Sequence, residues 1–185
     1  ASLRKWASTL LYKLSLKNHV NRVEMVAMGA IQPLVRLLHD PSNLFPSKSD
    51  VSGLLWNLSV ADEKNRAMIA DAGAIQPLVN LLRESDNREV TEALGALTSL
   101  VNNNAENKDA LAASGAIELL VPLLYDTHPN TRYKAGVLLH RLSLSGNFEE
   151  RSASMVRAGA IQPLVGLLRD STIMSRAEIL DLLSK

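Results

Sequence analysis

The stretch "AGAIQPLVNLL", residues 72–82, reads as the start of a core helix, yet nearly the same wording returns three times: "MGAIQPLVRLL" at 28–38, "SGAIELLVPLL" at 114–124 and "AGAIQPLVGLL" at 158–168. The glycines that mark the copies, Gly29, Gly73, Gly115 and Gly159, are spaced by 44, 42 and 44 residues. A helical pattern with a period in the low forties is that of a stacked solenoid, in which each unit contacts only its neighbours.

Punctuation divides each unit into three helices. The first is short and amphipathic, as in residues 63–71, where Met68 and Ile69 supply the apolar side. It stops at a glycine, which adopts the left-handed conformation of a helix end at little cost because it has no Cβ. The second helix begins in Ile-Gln-Pro-Leu-Val. Pro33, Pro77 and Pro163 fall early enough in it that the missing N–H would have been unpaired anyway. In the second copy Ile75, Leu78, Val79, Leu81 and Leu82 recur at helical spacing as one inward stripe. The third helix is longer, roughly 88–100, with Val90, Ala93, Leu94, Leu97 and Leu100 inward and Asp86 or Asn87 as its cap. A lone unit has no second layer against which to bury its stripe, so stacking is obligatory. The fold class is all-α, a right-handed solenoid of three-helix repeats of about 42 residues.

The phase of the repeat sets the organisation. Residue 1 falls inside a third helix, 3–15, with Trp6, Leu10, Leu11 and Leu14 apolar, and residues 175–185 begin another with Ile179, Leu180, Leu182 and Leu183. The single domain 1–185 then comprises a partial repeat 1–17, complete repeats 18–60, 61–102 and 103–145, and a partial repeat 146–185. Neither end carries a polar capping unit, so the array is expected to continue on at least one side. Two links are each longer by two residues, "HDPSNLFPSKSD" at 39–50 and "SLSGNFEE" at 143–150. Phe45 in the first is expected to tuck over the end of its own helix pair.

Bulk properties narrow the function. Lys plus Arg number 20 against 19 Asp plus Glu, giving a net charge of +1 and no overall pull toward nucleic acid or anionic membranes. With no cysteine there are no disulfides, thiolate zinc sites or cysteine nucleophiles, which suits an intracellular, cytoplasmic or nuclear setting. The longest apolar run, 110–125, is broken by Ser114, Gly115, Glu118 and Pro122 and is too interrupted to span a bilayer.

A catalytic centre needs nucleophiles, bases or metal ligands that converge. His19, His39, His128 and His140 are scattered, without metal-ligand spacing. Glu149 and Glu150 open a helix, where acidic residues favour the dipole. The glycines follow the repeat and form no phosphate loop. Asn102, Asn103 and Asn104 read as a helix-ending linker, since Asn tolerates left-handed backbone. The reading is of a non-enzyme with no catalytic, cofactor or metal residues and no small-molecule substrate.

The wording Gly-Ala-Ile-x-Pro-Leu-Val-x-Leu-Leu, followed by a long helix closing in "LLWNLSV" at 54–60, resembles the armadillo repeat over nearly the whole chain. The resemblance implies that the third helices line a concave groove for a protein or extended peptide segment. In armadillo arrays that bind basic peptides, a tryptophan and an asparagine four residues later repeat along this groove. The asparagine-type positions here are Lys13, Asn57, Ser99 and Arg141, and the tryptophan-type positions are Thr9, Gly53, Gly95 and Val137. Both ladders are broken, which disfavours a nuclear-import groove. Trp56, one residue before Asn57, is expected to point off the groove toward a neighbouring helix. One turn earlier the same face adds Lys5 and Trp6, Ser49 and Asp50, Thr91 and Glu92, then Tyr133 and Lys134, making it basic at its ends and weakly acidic in the middle. Gly53 and Gly95 either leave the groove open for a partner or serve close helix packing. The candidate partner-binding set is Lys13, Asn57, Glu92, Ser99, Tyr133, Lys134 and Arg141. The stretch at 57–82 also resembles the repeats of U-box ubiquitin ligases, which implies substrate recognition as an alternative role. A nuclear-transport or nucleic-acid-binding repeat is a further alternative, with nucleic acid disfavoured because regular base-reading positions are absent.

Overall fold

The computed structural model describes residues 2–40, 48–84, 86–144 and 147–169. Among these residues the chain forms twelve helices in series: α1 (Ser2–Ser15), α2 (His19–Ala27), α3 (Ile31–His39), α4 (Lys48–Ala61), α5 (Glu63–Asp71), α6 (Ile75–Leu81), α7 (Asn87–Leu100), α8 (Ala105–Ala113), α9 (Ala116–Leu123), α10 (Pro129–Ser143), α11 (Phe148–Arg157) and α12 (Ile161–Arg169). The third helix expected over 175–185, and Phe45, lie outside the described residues.

Punctuation acts where the sequence placed it. Gly73 stands at φ +84°, with Gly29, Gly115 and Gly159 also left-handed. At each of the first, second and fourth turns the next residue returns a backbone N–H to the preceding helix, as Ala74 does to the Ile69 carbonyl at 3.3 Å. That bond satisfies a carbonyl the helix end would leave orphaned. Asp86 caps α7 by accepting from the backbone N–H of Arg88 and Glu89. Asn103, at φ +54°, turns the linker, and Asn104 caps α8.

The layers stack by their third helices. The helix α4 packs against α1 on one side and α7 on the other, and α7 packs in turn against α10. Second helices α3, α6 and α9 close the other side of α4, α7 and α10. The predicted stripes are buried as expected: Val90, Ala93, Leu94, Leu97 and Leu100 on α7, and Ile75, Leu78, Val79, Leu81 and Leu82 around α6. Met68 departs from expectation. Ile69 is fully enclosed, but Met68 faces outward between α2 and α5.

Helix α1 also differs from its counterparts. Leu10 and Leu14 are 57% and 45% exposed, whereas Leu54 and Leu58, at the same register in α4, are fully buried. Trp6 is exposed as well.

A device the sequence reading missed fastens one repeat to the next. Asn21, Asn65 and Asn107, each eight residues before its repeat glycine, donate their side-chain amides to Leu14, Leu58 and Leu100 carbonyls at 2.8, 3.0 and 2.8 Å. In the fourth copy Arg151 fills the role, donating Nε to the Leu142 carbonyl at 2.7 Å. Each bond supplies a donor to the C-terminal end of a third helix, where carbonyls lack helical partners. Asn107→Ala is expected to lower the unfolding free energy by about 1–3 kcal/mol, because it leaves a buried carbonyl without its donor. Asn80→Ala, on an exposed helix face, is expected to stay within about 0.5 kcal/mol; urea titrations of both variants check this.

Candidate functional site

The row α1, α4, α7 and α10 presents one continuous face across four repeats. Its relief is set by aromatic rings lying on glycines. A methyl group on Gly95 would stand 2.6 Å from Cε3 of Trp56, and one on Gly53 would stand 2.6 Å from Cε2 of Tyr12. Each ring comes from the preceding third helix and occupies the space a Cβ would fill. Both glycines are buried. Of the two readings left open for them, close packing within the chain is the one realised. Trp56 does point at a neighbouring helix, but not off the groove as expected. The helix is the next in the row, so the half-buried ring is part of the face itself. At the next step, where the row carries Thr98 in place of an aromatic, the glycine position is Val137.

A charged network runs through these rings. Asp50, buried in the first turn of α4, accepts from Thr9 Oγ1 of α1 at 2.5 Å and from Arg88 Nη2 of α7 at 2.6 Å. The Arg88 guanidinium lies 5.9 Å from the Tyr12 ring centroid. Tyr12 donates its hydroxyl to Glu92 Oε1 at 3.4 Å. Lys134 of α10 donates Nζ to the Thr91 carbonyl at 3.2 Å and stands 4.3 Å from the Trp56 ring centroid. Thr131 donates to Asn87 Oδ1 at 2.6 Å and links α10 to the start of α7.

Burial controls the protonation of this network. It raises the Glu92 carboxyl above its ordinary range, against the opposing pull of Lys134 and Arg88. The same carboxylate keeps its Oε2 buried without a hydrogen-bond donor among the described residues, close against Gly53. Burial pushes the Lys134 ammonium down to about 8, only partly offset by Glu92. Burial, followed by Glu92, raises the Tyr12 phenol.

The predicted set therefore divides. Glu92 and Lys134 come together with Trp56 inside the network, where their charges serve the protein's own packing. Asn57 donates to Ser15 Oγ at 2.9 Å, so its amide is engaged by α1. Arg141 donates to Asn102 Oδ1. Ser99 and Tyr133 are half-buried along the same row and Lys13 is exposed on α1. Thr9, Tyr12, Arg88 and Thr131 were not in the predicted set. For Tyr12 the signal was the pairing of an aromatic with a glycine about one repeat later, Gly53; Thr9, Arg88 and Thr131 had no such signal.

Away from this row, a depression of about 530 Å³ lies between α2 and α5 and is lined by His19, Val23, Asp62 and Met68 among others. Among the described residues no three His, Cys, Asp or Glu side chains are grouped to hold a metal, and no helix is long and apolar enough to cross a membrane.

This arrangement defines an α-helical repeat solenoid. Residues 62–101 match the family model of the armadillo/beta-catenin-like repeat. A designed armadillo repeat protein in complex with the peptide (KR)4 is similar at 27% identity and a TM-score of 0.77, over 90% of this chain and 68% of that one. A second designed armadillo repeat protein is similar at 26% identity and a TM-score of 0.79, over 96% and 72%. Computationally designed armadillo repeat proteins for modular peptide recognition are similar at 27% identity and a TM-score of 0.77, over 90% and 68%. No curated protein matches the chain. Residues 62–101 thus match one armadillo repeat, and the helix order of the described residues is similar to that of designed armadillo repeat solenoids.

Gly95→Ala is expected to cost about 1–3 kcal/mol by forcing the Trp56 ring off its seat. The cost should shrink in a Trp56→Leu background, so that a double-mutant cycle in urea reads the coupling. Lys134 yields a pH signature. Its folded pKa of about 8 lies below the ordinary lysine value of 10.5, so unfolding takes up a proton between those values and stability should rise with pH across that window. Denaturation midpoints at pH 7.5, 9 and 10 are expected to show this rise in the parent chain and a flatter dependence in Lys134→Met.

Proposed function

We propose that the chain is a non-enzymatic interaction module whose third-helix row receives a protein segment or extended peptide. The observation that carries this reading is the unbroken face along α1, α4, α7 and α10, on which half-buried side chains from four repeats stand side by side. Similar designed proteins are described as binding (KR)4 or as serving modular peptide recognition, which supports a peptide-binding role for this face. An interaction array recognises its partner through regularly spaced side chains on a rigid scaffold, and function lies in the face more than in the fold. The same matches lend no support to the U-box reading.

The accessible contacts on this reading are Ser99, Tyr133 and Lys13, with Asn57 and Arg141 contributing the faces their internal bonds leave open. Tyr133→Ala combined with Ser99→Arg is expected to weaken capture of a partner isolated with the parent chain by about tenfold or more, the loss of an interface anchor. Equal capture by the two proteins in a quantitative pull-down sinks the assignment of this face. We propose also that the apolar stripe of α1, with Leu10 and Leu14 uncovered, is closed by two preceding helices in a longer chain. Coding sequence upstream of Ala1 that lacks an apolar helix pair of this kind overturns that extension.

A further inference from the structure

Two aromatic rings on the third-helix row already carry cations, and both cations belong to this chain. Lys134 stands over Trp56 with its ammonium 4.3 Å from the ring centroid, and Arg88 stands over Tyr12 at 5.9 Å. An aromatic face attracts a positive charge through its quadrupole, most strongly when the pair is withdrawn from water. Lys134 meets that condition, being 8% exposed, and its ammonium is also fixed by the Thr91 carbonyl. The carboxylates that would attract an incoming cation are engaged as well, apart from the enclosed Oε2 of Glu92. Asp50 is held by Arg88 and Thr9, and Glu92 is held by Tyr12 and lies in the field of Lys134. Asp50 and Glu92 against Arg88 and Lys134 sum to zero charge, so this floor offers no surplus attraction to a basic ligand.

We propose that the face carries its own occupants at the two positions where cationic side chains would bind, Lys134 on Trp56 and Arg88 on Tyr12. It thereby discriminates against Lys- and Arg-rich segments and accepts a partner that brings no cation to those steps. The inference rests on reading the third-helix row as the docking face and adds to it the class of ligand excluded. An arriving lysine must displace one already seated and bonded, and it exchanges one cation–aromatic contact for another without net gain. The designed relative in complex with (KR)4 supplies the probe for this difference.

The experiment measures fluorescence anisotropy of labelled (KR)4 in a Trp6→Phe background, where Trp56 is the sole tryptophan and its emission reports on the face. Lys134→Met keeps apolar bulk over the ring and removes the cation. Arg88→Gln alters a guanidinium whose side chain is 54% exposed and supplies a second variant should Lys134→Met fail to fold. A remote pair on the surface, Lys64→Met with Arg83→Gln, changes net charge equally. The double variant Lys134→Met/Arg88→Gln is expected to bind (KR)4 about tenfold or more tightly than the parent, with a change in Trp56 emission. Arg88→Gln alone should show part of that gain. Parent binding as tight as the double variant, or an equal gain in the remote pair, overturns the self-occupation of the face. A gain without any change in Trp56 emission places the peptide elsewhere and overturns the docking face itself.

Discussion

The architecture depends on one constraint: a three-helix layer cannot enclose its own apolar stripe and must borrow a surface from the next layer. Leu54, Leu55 and Leu58 are completely buried in α4, a helix packed against α7 on one side and against α1 and α3 on others. The exposed stripe of α1 shows the same chemistry without that cover. Stability therefore accumulates along the stack, and each interface between third helices is both a joint and a portion of the outer face. Structural requirements and any recognition by that face draw on the same residues.

The aromatic–glycine steps are the plainest case. Tyr12 on Gly53 and Trp56 on Gly95 bring successive third helices close enough for the rings to lie within the row, where a side chain at the glycine would hold them off. Those rings then seat Arg88 and Lys134, and Asp50 and Glu92 balance the charge. Burying Asp50 and Lys134 and partly burying Glu92 is tolerable because each finds an opposite charge, an aromatic face or a carbonyl nearby. The result is a face that is polar in composition and yet largely satisfied from within. Residues that appear as free contacts along a helical wheel are here bonded across repeats.

The repeat junctions follow the same economy. The Asn21, Asn65 and Asn107 amides close the carbonyl ends of three successive third helices, and Arg151 does so for the fourth with a longer reach. Because each donor sits in the first helix of the following unit, the bond ties helix termination to the register of stacking. A side chain without a donor at that place leaves a buried carbonyl unpaired, which costs more than the bond contributes.

Local and periodic features of the chain were legible from residue order. Glycine turns, proline starts, the cap at Asp86 and the inward stripes of α6 and α7 are dictated by interactions within a few residues, and the period of Gly29, Gly73, Gly115 and Gly159 announces a stack. That Trp56 points at a neighbouring helix was legible too, since 100 degrees per residue fixes where it leaves the helix. That the ring stays on the row was not. Whether Gly53 and Gly95 stand open or are covered, and whether Glu92 and Lys134 face a partner or each other, depends on how far apart successive third helices settle and at what axial offset. Those quantities arise from packing between residues about forty positions apart, and no local pattern encodes them. A one-dimensional register places residues on a common face, and only the distance between helices determines whether their charges reach outward or close upon the protein's own rings.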